Sequence, residues 1–388
     1  MMKSSSLCVF FQASSSVHHK SHITHARINK RKTHTNIHRE REREKTSEPS
    51  LYWNMVLSSP TKKLESPGSS RDKYVDSRSL LEKGVNLIAL LIAFPILAFS
   101  YPLSLLTRGT LHGVWNFSKE IRPPITQIWA DFMTSNVMNV RFKIVSQRQL
   151  YRDGKCVYLC NHRAWADFFI DMSLCEGRSF TLSRMLVMYV FPVFMVPAVF
   201  VGAVFPFRRD RKGGYEELNN SIDKHWSRFE QYFPGFLCYP EGTRNIKPHS
   251  LPLKRGMLRY AHSRKLPVQI IICAGKEKVL SQKRFAAERN HVLPVAYSSV
   301  IHSDSYPVFE DFAEAIRHSW ADEWANAYNH EDKMEKLKDF KPSERTIRYE
   351  RWVDVFTVGT VVSFLVFCAF VAHALQIIFP KIIELGHA

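Results

Sequence analysis

The sequence predicts an α/β domain, with a central, mostly parallel sheet flanked by helices, and membrane helices on its N-terminal and C-terminal sides. Short apolar runs alternate with amphipathic helical patterns from Met138 onward, as in parallel sheets with crossover helices. Long uncharged runs stand before and after this region. We expect five segments: a disordered basic segment (1–82), a membrane anchor with interfacial helices (83–139), the α/β domain (140–330), a charged connector (331–352) and a C-terminal transmembrane helix (353–380).

Composition and charge indicate an anionic partner. The 388 residues carry a net charge of +18, which suits nucleic acid, an anionic lipid surface or a phosphorylated substrate. The apolar segments favour lipid, so no nucleic-acid partner is predicted. The seven cysteines lack metal-ligand spacing and are interpreted as buried thiols of a reducing compartment, so we predict no metal.

Residues 1–82 are rich in Ser, His, Lys and Arg and almost lack periodic apolar positions, which predicts disorder. The first 39 residues contain no acidic residue, as in a transit peptide. Alternating Arg and Glu at residues 39–44 interrupt that pattern. The segment therefore leaves open whether an organelle is the destination.

Two uncharged runs are predicted to enter a membrane. Residues 85–106 are long enough to span it, although Pro95 and Pro102 make a kinked span or a shallow helical hairpin equally compatible. Residues 355–379 form the second segment. Three arginines precede it closely and only Lys381 follows, so the positive-inside rule places the domain in the cytosol.

A third uncharged run, residues 185–207, is also long enough to span. A span there would separate His162 and Glu241 by the membrane. We therefore interpret the run as part buried helix and part strand, with Pro192 and Pro197 breaking the helix.

The other elements follow from hydrophobic periodicity. Strands are predicted at residues 140–145, 156–160, 201–207, 236–239 and 268–273. Helices are predicted at residues 215–233 and 309–327, with amphipathic or interfacial helices at residues 115–122 and 129–138.

The first candidate site follows strand 156–160. His162 comes directly after that strand, and Asp167 follows five positions later, an arrangement that presents an imidazole base and orients it. Asp171 is a rival orienter, one helical turn further on. Because a histidine after a strand is often only structural, the pattern alone is weak evidence.

Two further strand ends carry positive charge. Residues 202–209 end in Arg208 and Arg209, whose guanidinium groups suit phosphate, although a solvated basic loop explains them equally well. The turn at residues 239–244 exposes backbone amides at a glycine and forms an anion cradle with its threonine and arginine. The carboxyl ends of parallel strands meet at one sheet edge, so we expect the three turns to form one site.

These three blocks, in this order, resemble the membrane-bound glycerolipid acyltransferases, which include the lysophosphatidic acid acyltransferases. The resemblance covers residues 140–320 and implies that this region is an acyltransferase domain in which His162 is the general base and Asp167 its orienter. It assigns the acceptor phosphate to Arg208, Glu241, Gly242, Thr243, Arg244 and Lys254. It also associates Leu266, Pro267 and Val268 with acyl-chain binding.

Three positions depart from the family pattern, namely Ala164, Asn245 and Gln269. None of them removes a charged or catalytic group, so these departures bear on the choice of acceptor and not on the expected activity.

The resemblance implies acyl transfer from acyl-coenzyme A to the free hydroxyl of lysophosphatidic acid, giving phosphatidic acid, without metal or cofactor. It further implies an integral membrane protein, in the endoplasmic reticulum or another organelle, with the domain in the cytosol. Glycerol-3-phosphate or another lysophospholipid is the alternative acceptor.

Three other functions compete with this one. A phospholipid could replace acyl-coenzyme A as donor in a transacylase reaction at the same His162. Cys160 could act as a thiol nucleophile, although adjacent strand residues point to opposite faces and no second base is apparent. A membrane-surface scaffold without turnover is the non-enzymatic alternative, which the intact acidic and basic motif residues disfavour.

Overall fold

The computed structural model of the protein describes residues 79–104, 106, 121–208, 214–343 and 345–386. The predicted disorder of residues 1–78 and the predicted helix at residues 115–120 lie outside the described residues. The α-helices are α1 Leu80–Ser104, α2 Ile125–Asp131, α3 Asp167–Leu174, α4 Met185–Val190, α5 Pro192–Phe200, α6 Gly214–Phe229, α7 Arg255–Ser263, α8 Lys276–Val279, α9 Phe309–Tyr328 and α10 Arg351–Gly386. A π-helical segment, Phe132–Val137, continues α2.

The strands are β1 Ile121–Arg122, β2 Arg141–Ile144, β3 Cys156–Cys160, β4 Ser179–Arg184, β5 Val204–Phe207, β6 Gly235–Cys238, β7 Pro267–Cys273, β8 Leu280–Ser281, β9 Ala286–Ala287, β10 Val292–Tyr297, β11 Ile301–His302, β12 Lys338–Asp339 and β13 Ile347–Arg348. Within the described residues, one nine-stranded sheet has the order β12-β2-β10-β7-β3-β6-β4-β5, with β11 beside β7.

The predicted mostly parallel sheet is confirmed. Strands β7, β3, β6, β4 and β5 are parallel to one another, and β10 is parallel to β2. The pairs β10–β7, β11–β7 and β12–β2 are antiparallel. Strand β3 is buried along its whole length, which explains its continuous apolar sequence. All five parallel strands end at one edge of the sheet, and the loops that follow them carry the candidate site.

Helix α1 begins with a capping box. The backbone N–H of Ser79 donates to Glu82 Oε2 at 2.7 Å, and the backbone N–H of Glu82 donates to Ser79 Oγ at 3.2 Å. The helix continues through Pro95 and Pro102, so residues 85–104 form a helix and not a helical hairpin. Its inner face is tied to the domain by the Trp129 indole N–H, which donates to Ser100 Oγ at 2.7 Å.

Helices α1 and α10 are long and apolar enough to cross a membrane. Only 11% of the apolar window of α10 is buried in the protein, compared with 33% for α1. Aromatic contacts join the two helices, because Phe99 of α1 lies 5.4 Å from Phe364 and 5.7 Å from Phe367, between ring centroids.

The run at residues 185–207 forms two short helices and a strand, as predicted from its prolines. Helix α4 ends at Val190, and α5 begins at Pro192. The strand β5 is shorter than predicted, since residues 201–203 form the turn that precedes it. The ring of Phe191 between the helices lies 5.1 Å from that of Phe94 of α1.

Several elements differ from the prediction. Strands β4 and β10 were not predicted, and Ile121–Arg122, expected in a helix, pair with β13. The predicted interfacial helix at residues 129–138 is mostly packed in the core, with Trp129 and Met133 buried. The connector at residues 331–352 contributes β12 to the large sheet.

Candidate active site

The loop after β3 presents His162 to Asp167, the first residue of α3. Asp167 Oδ2 lies 2.7 Å from His162 Nδ1 and accepts the backbone N–H groups of Arg163 at 2.6 Å and Ala164 at 3.1 Å. These amides hold the carboxylate in place before any substrate binds. An ionised Asp167 keeps the imidazole proton on Nδ1, so Nε2 is the basic atom.

The geometry distinguishes the two acidic residues of α3. Asp171 does not contact His162 but accepts two bonds from Lys276 Nζ, both of 2.8 Å. Burial raises the pKa of Asp171 to about 7, although Lys276 opposes the shift. Burial also acts on Asp167, but Lys276, His162 and the Arg163 amide outweigh it and hold the pKa of Asp167 below its ordinary value. Asp167 is therefore the ionised partner of the imidazole.

The surroundings of His162 keep it uncharged near neutral pH. Burial lowers the pKa of His162 below its ordinary value, Asp167 opposes this shift, and Arg244 and Lys276 reinforce it. The side chain is 20% exposed. A neutral, partly accessible imidazole with an oriented proton can accept a proton from a hydroxyl group.

The Glu241 turn is joined to the His162 loop by direct hydrogen bonds. Glu241 Oε1 accepts the His162 backbone N–H at 3.0 Å, and Oε2 accepts the Leu251 backbone N–H at 3.1 Å. The Asn245 backbone N–H donates to the His162 carbonyl at 2.9 Å. Glu241 was predicted at the phosphate site, yet its carboxylate is buried and accepts these backbone donors, so it holds the two loops together.

Gly242, Thr243 and Arg244 form the tip of this turn. Gly242 has a φ of +70°, and a Cβ there would lie 3.2 Å from Lys254 Cγ, so the glycine also permits the close approach of that lysine. Thr243 and Lys254 are exposed. Their position beside Arg244 leaves hydroxyl, ammonium and guanidinium donors at one surface.

Positive charges surround Arg244. Burial lowers the pKa of Arg244, and Arg184 at the end of β4 adds to the shift, whereas Asp167 opposes it. Lys283 Nζ donates to the Arg244 carbonyl, and burial and Arg244 lower the pKa of Lys283. Cations held near one another in this way favour an anionic ligand.

Arg208 lies at the end of β5, at the same sheet edge but further from the histidine. Strand β4 separates β5 from β6, so Arg208 lies about 10 Å from the Glu241 turn, given the usual spacing of strands. Its side chain is exposed, and residues 209–213 lie outside the described residues. A bound phosphate between Arg208 and Arg244 would have to bridge this gap.

The predicted acyl-chain residues Leu266, Pro267 and Val268 are not brought to the site. Val268 pairs with Val157 at the beginning of β3, five residues before His162. That separation is roughly 16 Å along the strand. These residues therefore lie at the opposite edge of the sheet, and Val268 is buried there.

Gln269 is explained by this position. Its Oε1 accepts the Tyr151 backbone N–H at 2.8 Å, and its Nε2 donates to the Gln149 and Ser298 carbonyls at 2.8 and 3.0 Å. The amide satisfies three backbone groups where β7 meets neighbouring loops, so a polar residue in an apolar strand is stabilising.

Two buried cations near His162 were missed by the sequence analysis. Arg163 is 1% exposed; its Nε donates to Glu277 at 3.0 Å and its guanidinium group donates to the Lys247 carbonyl at 2.7 Å. Lys276 is fully buried below the histidine loop. Lys276 follows β7, which ends at the same edge as β3. Residues that follow parallel strands meet at this edge, so Lys276 could have been predicted at the site in the same way as the three turns.

Cys160 has the environment of a structural thiol. It is fully buried in β3, and burial together with Cys175 and Asp171 raises its pKa well above the ordinary value. A protonated, inaccessible thiol is a poor nucleophile. The geometry therefore disfavours the cysteine-nucleophile alternative.

Residues 141–274 match the acyltransferase family model. The chain is 23% identical over 145 residues to human 1-acyl-sn-glycerol-3-phosphate acyltransferase beta, covering 37% of this chain and 50% of that protein. It is 27% identical over 116 residues to a putative 1-acyl-sn-glycerol-3-phosphate acyltransferase of Caenorhabditis elegans, covering 30% and 39%. It is 22% identical over 160 residues to the Cocos nucifera 1-acyl-sn-glycerol-3-phosphate acyltransferase, covering 40% and 49%.

The matched regions span half or less of the length of each of these relatives. The crystal structure of the 1-acyl-sn-glycerophosphate acyltransferase of Thermotoga maritima is also similar, with a TM-score of 0.42 and 11% identity, covering 62% of this chain and 96% of that one. Both His162 and Arg244 lie within the region that matches the family model.

Proposed function

We propose that the protein transfers a fatty acyl group from acyl-coenzyme A to the free hydroxyl of lysophosphatidic acid. The match of residues 141–274 to the acyltransferase family model supports this proposal. The product would be phosphatidic acid. The observation that carries the chemistry is the 2.7 Å contact between His162 Nδ1 and Asp167 Oδ2 at the edge of the sheet.

In the proposed reaction, His162 Nε2 takes the proton of the acceptor hydroxyl as its oxygen attacks the thioester carbonyl. The carbon–oxygen bond forms, the carbon–sulfur bond breaks, and coenzyme A leaves as a thiolate. The imidazolium, stabilised by Asp167, returns its proton to the thiolate. Holding both substrates against this dyad would supply much of the rate acceleration through orientation.

The positive turn supports a phosphorylated acceptor. Arg244, Thr243 and Lys254 surround the tip of the Glu241 turn, which is hydrogen-bonded to the His162 loop. An anchored phosphate there would place the acceptor's glycerol hydroxyl toward the imidazole. Arg208, at the end of β5, would extend the anionic site rather than touch the same oxygen atoms.

We further propose that α1 and α10 anchor the protein in the membrane of the endoplasmic reticulum, with the domain on the cytosolic side. Both helices have the length and composition of spans. The arginines that precede α10 favour this orientation. A membrane anchor suits substrates whose acyl chains reside in the bilayer.

The decisive experiment measures acyl transfer by the purified full chain in detergent. Labelled oleoyl-coenzyme A is offered with lysophosphatidic acid, glycerol-3-phosphate, lysophosphatidylcholine or lysophosphatidylethanolamine, and His162→Ala is the control. Product from lysophosphatidic acid that depends on His162 would support the proposal, whereas preference for another acceptor would correct the substrate. If a phospholipid donor gives as much product as acyl-coenzyme A does, in the absence of acyl-coenzyme A, the protein is a transacylase and the proposed donor is wrong.

A further inference from the structure

Lys276 lies beneath the candidate dyad and contacts three residues, one of which, Asp167, belongs to the dyad. Its Nζ donates to the Asn161 carbonyl at 2.6 Å and to both Asp171 oxygens at 2.8 Å. It also lies 3.5 Å from Asp167 Oδ1, the oxygen opposite the one that contacts His162. The lysine is fully buried. It therefore contacts the residue before the histidine and both carboxylates of α3.

Fold stability alone gives a weak reason for this charge. Burying an ammonium group and a carboxylate costs solvation free energy, and apolar residues of similar size often stabilise a core equally well. The catalytic chemistry gives a stronger reason. Two carboxylates one helical turn apart compete for a proton, and a nearby cation favours the ionised form of both.

We propose that Lys276 is a positioning residue for acyl transfer: through Asp167 and the Asn161 carbonyl, it keeps the His162–Asp167 dyad aligned and the imidazole uncharged until the hydroxyl proton arrives. This inference rests on the proposed function. Lys276 does not reach the substrate; it acts through the dyad. Its contact with Asp167 also preserves the negative charge that stabilises the imidazolium later in the reaction.

The ionisable groups around this lysine come from several elements. In the described part of the chain they are Asp167 and Asp171 of α3, Cys160 of β3, Cys273 of β7, Tyr239 after β6, Tyr328 of α9, and His162 at the site edge. Arg244 acts on His162. Burial would lower the pKa of Lys276, but Asp167 and Asp171 outweigh it and raise that pKa, so the ammonium form persists at any working pH. The groups expected to titrate in the experimental range are therefore His162 and Asp171, whose pKa is about 7, and Asp171→Asn removes the second of them.

The test measures the pH at which the rate of His162 modification by diethylpyrocarbonate is half-maximal, since this reagent modifies a histidine only when its imidazole is neutral. Peptide mass spectrometry of the full-length protein in detergent separates His162 from the other histidines. The variants are Lys276→Met and the double variant Lys276→Met/Asp171→Asn, which removes both members of the buried Lys276–Asp171 pair. Arg152→Met is the matched control, because it removes a cation 2.7 Å from the fully buried Glu176 in a different cluster.

Losing the cation should raise the pKa of His162, so the half-modification pH should increase by about 0.5 to 1 unit in both Lys276 variants. The turnover number kcat should fall about 100-fold through misalignment. The control should lower the melting temperature and leave the His162 midpoint unchanged. The double variant carries the test if Lys276→Met does not fold, and an unmoved midpoint in the folded double variant would overturn the inference.

The two proposals fail separately. If the wild-type protein transfers acyl groups to none of the acceptors, the proposed function is wrong, but the modification midpoint still reports whether Lys276 controls His162. If transfer occurs and the midpoint does not move, Lys276 is only a structural partner of Asp171.

Discussion

The Tyr239 ring lies flat against the His162 imidazole, with ring centroids 4.2 Å apart and planes inclined by 17°. Tyr239 directly follows β6 and His162 follows β3, so the stack joins the carboxyl ends of two neighbouring parallel strands. The Tyr239 hydroxyl interacts with Asp171, which connects the ring to the Lys276 cluster. The stack fixes one face of the imidazole and leaves its edge for the proton transfer.

Removing this stack should impair turnover more than removing the hydroxyl. Tyr239→Ala is expected to lower kcat about 5-fold, because a ring contact of this kind contributes roughly 1 kcal/mol. Tyr239→Phe keeps the ring and should retain most of the activity. Steady-state kinetics with oleoyl-coenzyme A and lysophosphatidic acid compares the two variants, and a larger loss in Tyr239→Phe would show that the hydroxyl matters more than the stack.

Replacing the orienting carboxylate should be nearly as damaging as replacing the base. Asp167→Asn removes the charge that fixes the Nδ1 proton, so kcat should fall roughly 10³-fold or more. In Asp171→Asn, kcat should fall far less, since Asp171 does not contact the imidazole. Single-turnover rates for the two variants test this order, and equal losses would reopen the choice of orienter.

The pH dependence of kcat/KM should report the lowered pKa of His162. Because burial favours the neutral imidazole, the acid limb should lie below the ordinary histidine value of 6.5, and kcat/KM should fall only as the pH drops through it. This acid limb is measured from reaction rates with saturating acyl-coenzyme A between about pH 5 and pH 9. An acid limb above 6.5 would contradict the assigned environment.

Arg244 should matter for the phosphorylated acceptor and not for the acyl donor. Arg244→Ala is expected to raise the KM for lysophosphatidic acid at least about 10-fold, since a charge-assisted bond to phosphate contributes roughly 1.5–3 kcal/mol. The KM for acyl-coenzyme A should change little. Arg208→Ala, at the more distant β5, should have a smaller effect. A change confined to the acyl-coenzyme A KM would reverse the assignment of the two substrates.

Glu241→Ala should act on stability as well as on activity. The variant leaves the backbone N–H groups of His162 and Leu251 without their carboxylate acceptor, at a cost of about 1–3 kcal/mol for each buried donor left unpaired. We expect a lower melting temperature and a loss of turnover together. An unchanged melting temperature, measured by differential scanning fluorimetry in detergent, would show that the loop contact is dispensable.

The sequence by itself determined the elements whose signals are local. Periodicity and apolar runs predicted β3, the helix at Phe309–Tyr328 and the long apolar helices, and the short blocks around His162 and Glu241 predicted one shared sheet edge. Strands β4 and β10 were missed because their polar and proline residues hide the apolar pattern that burial in a sheet later satisfies. Local patterns report only what a segment buries against itself or its nearest neighbours.

Only the tertiary structure decided which charges act together. Asp167 rather than Asp171 contacts the imidazole because the loop after β3 turns its backbone amides toward the first residue of α3. Lys276 is 114 residues from His162 in the chain and reaches the site because β7 pairs with β3. Leu266 to Val268 carry an apolar motif, yet the register places them at the far edge. Distances between residues remote in sequence are set by strand order and register, which no single segment encodes.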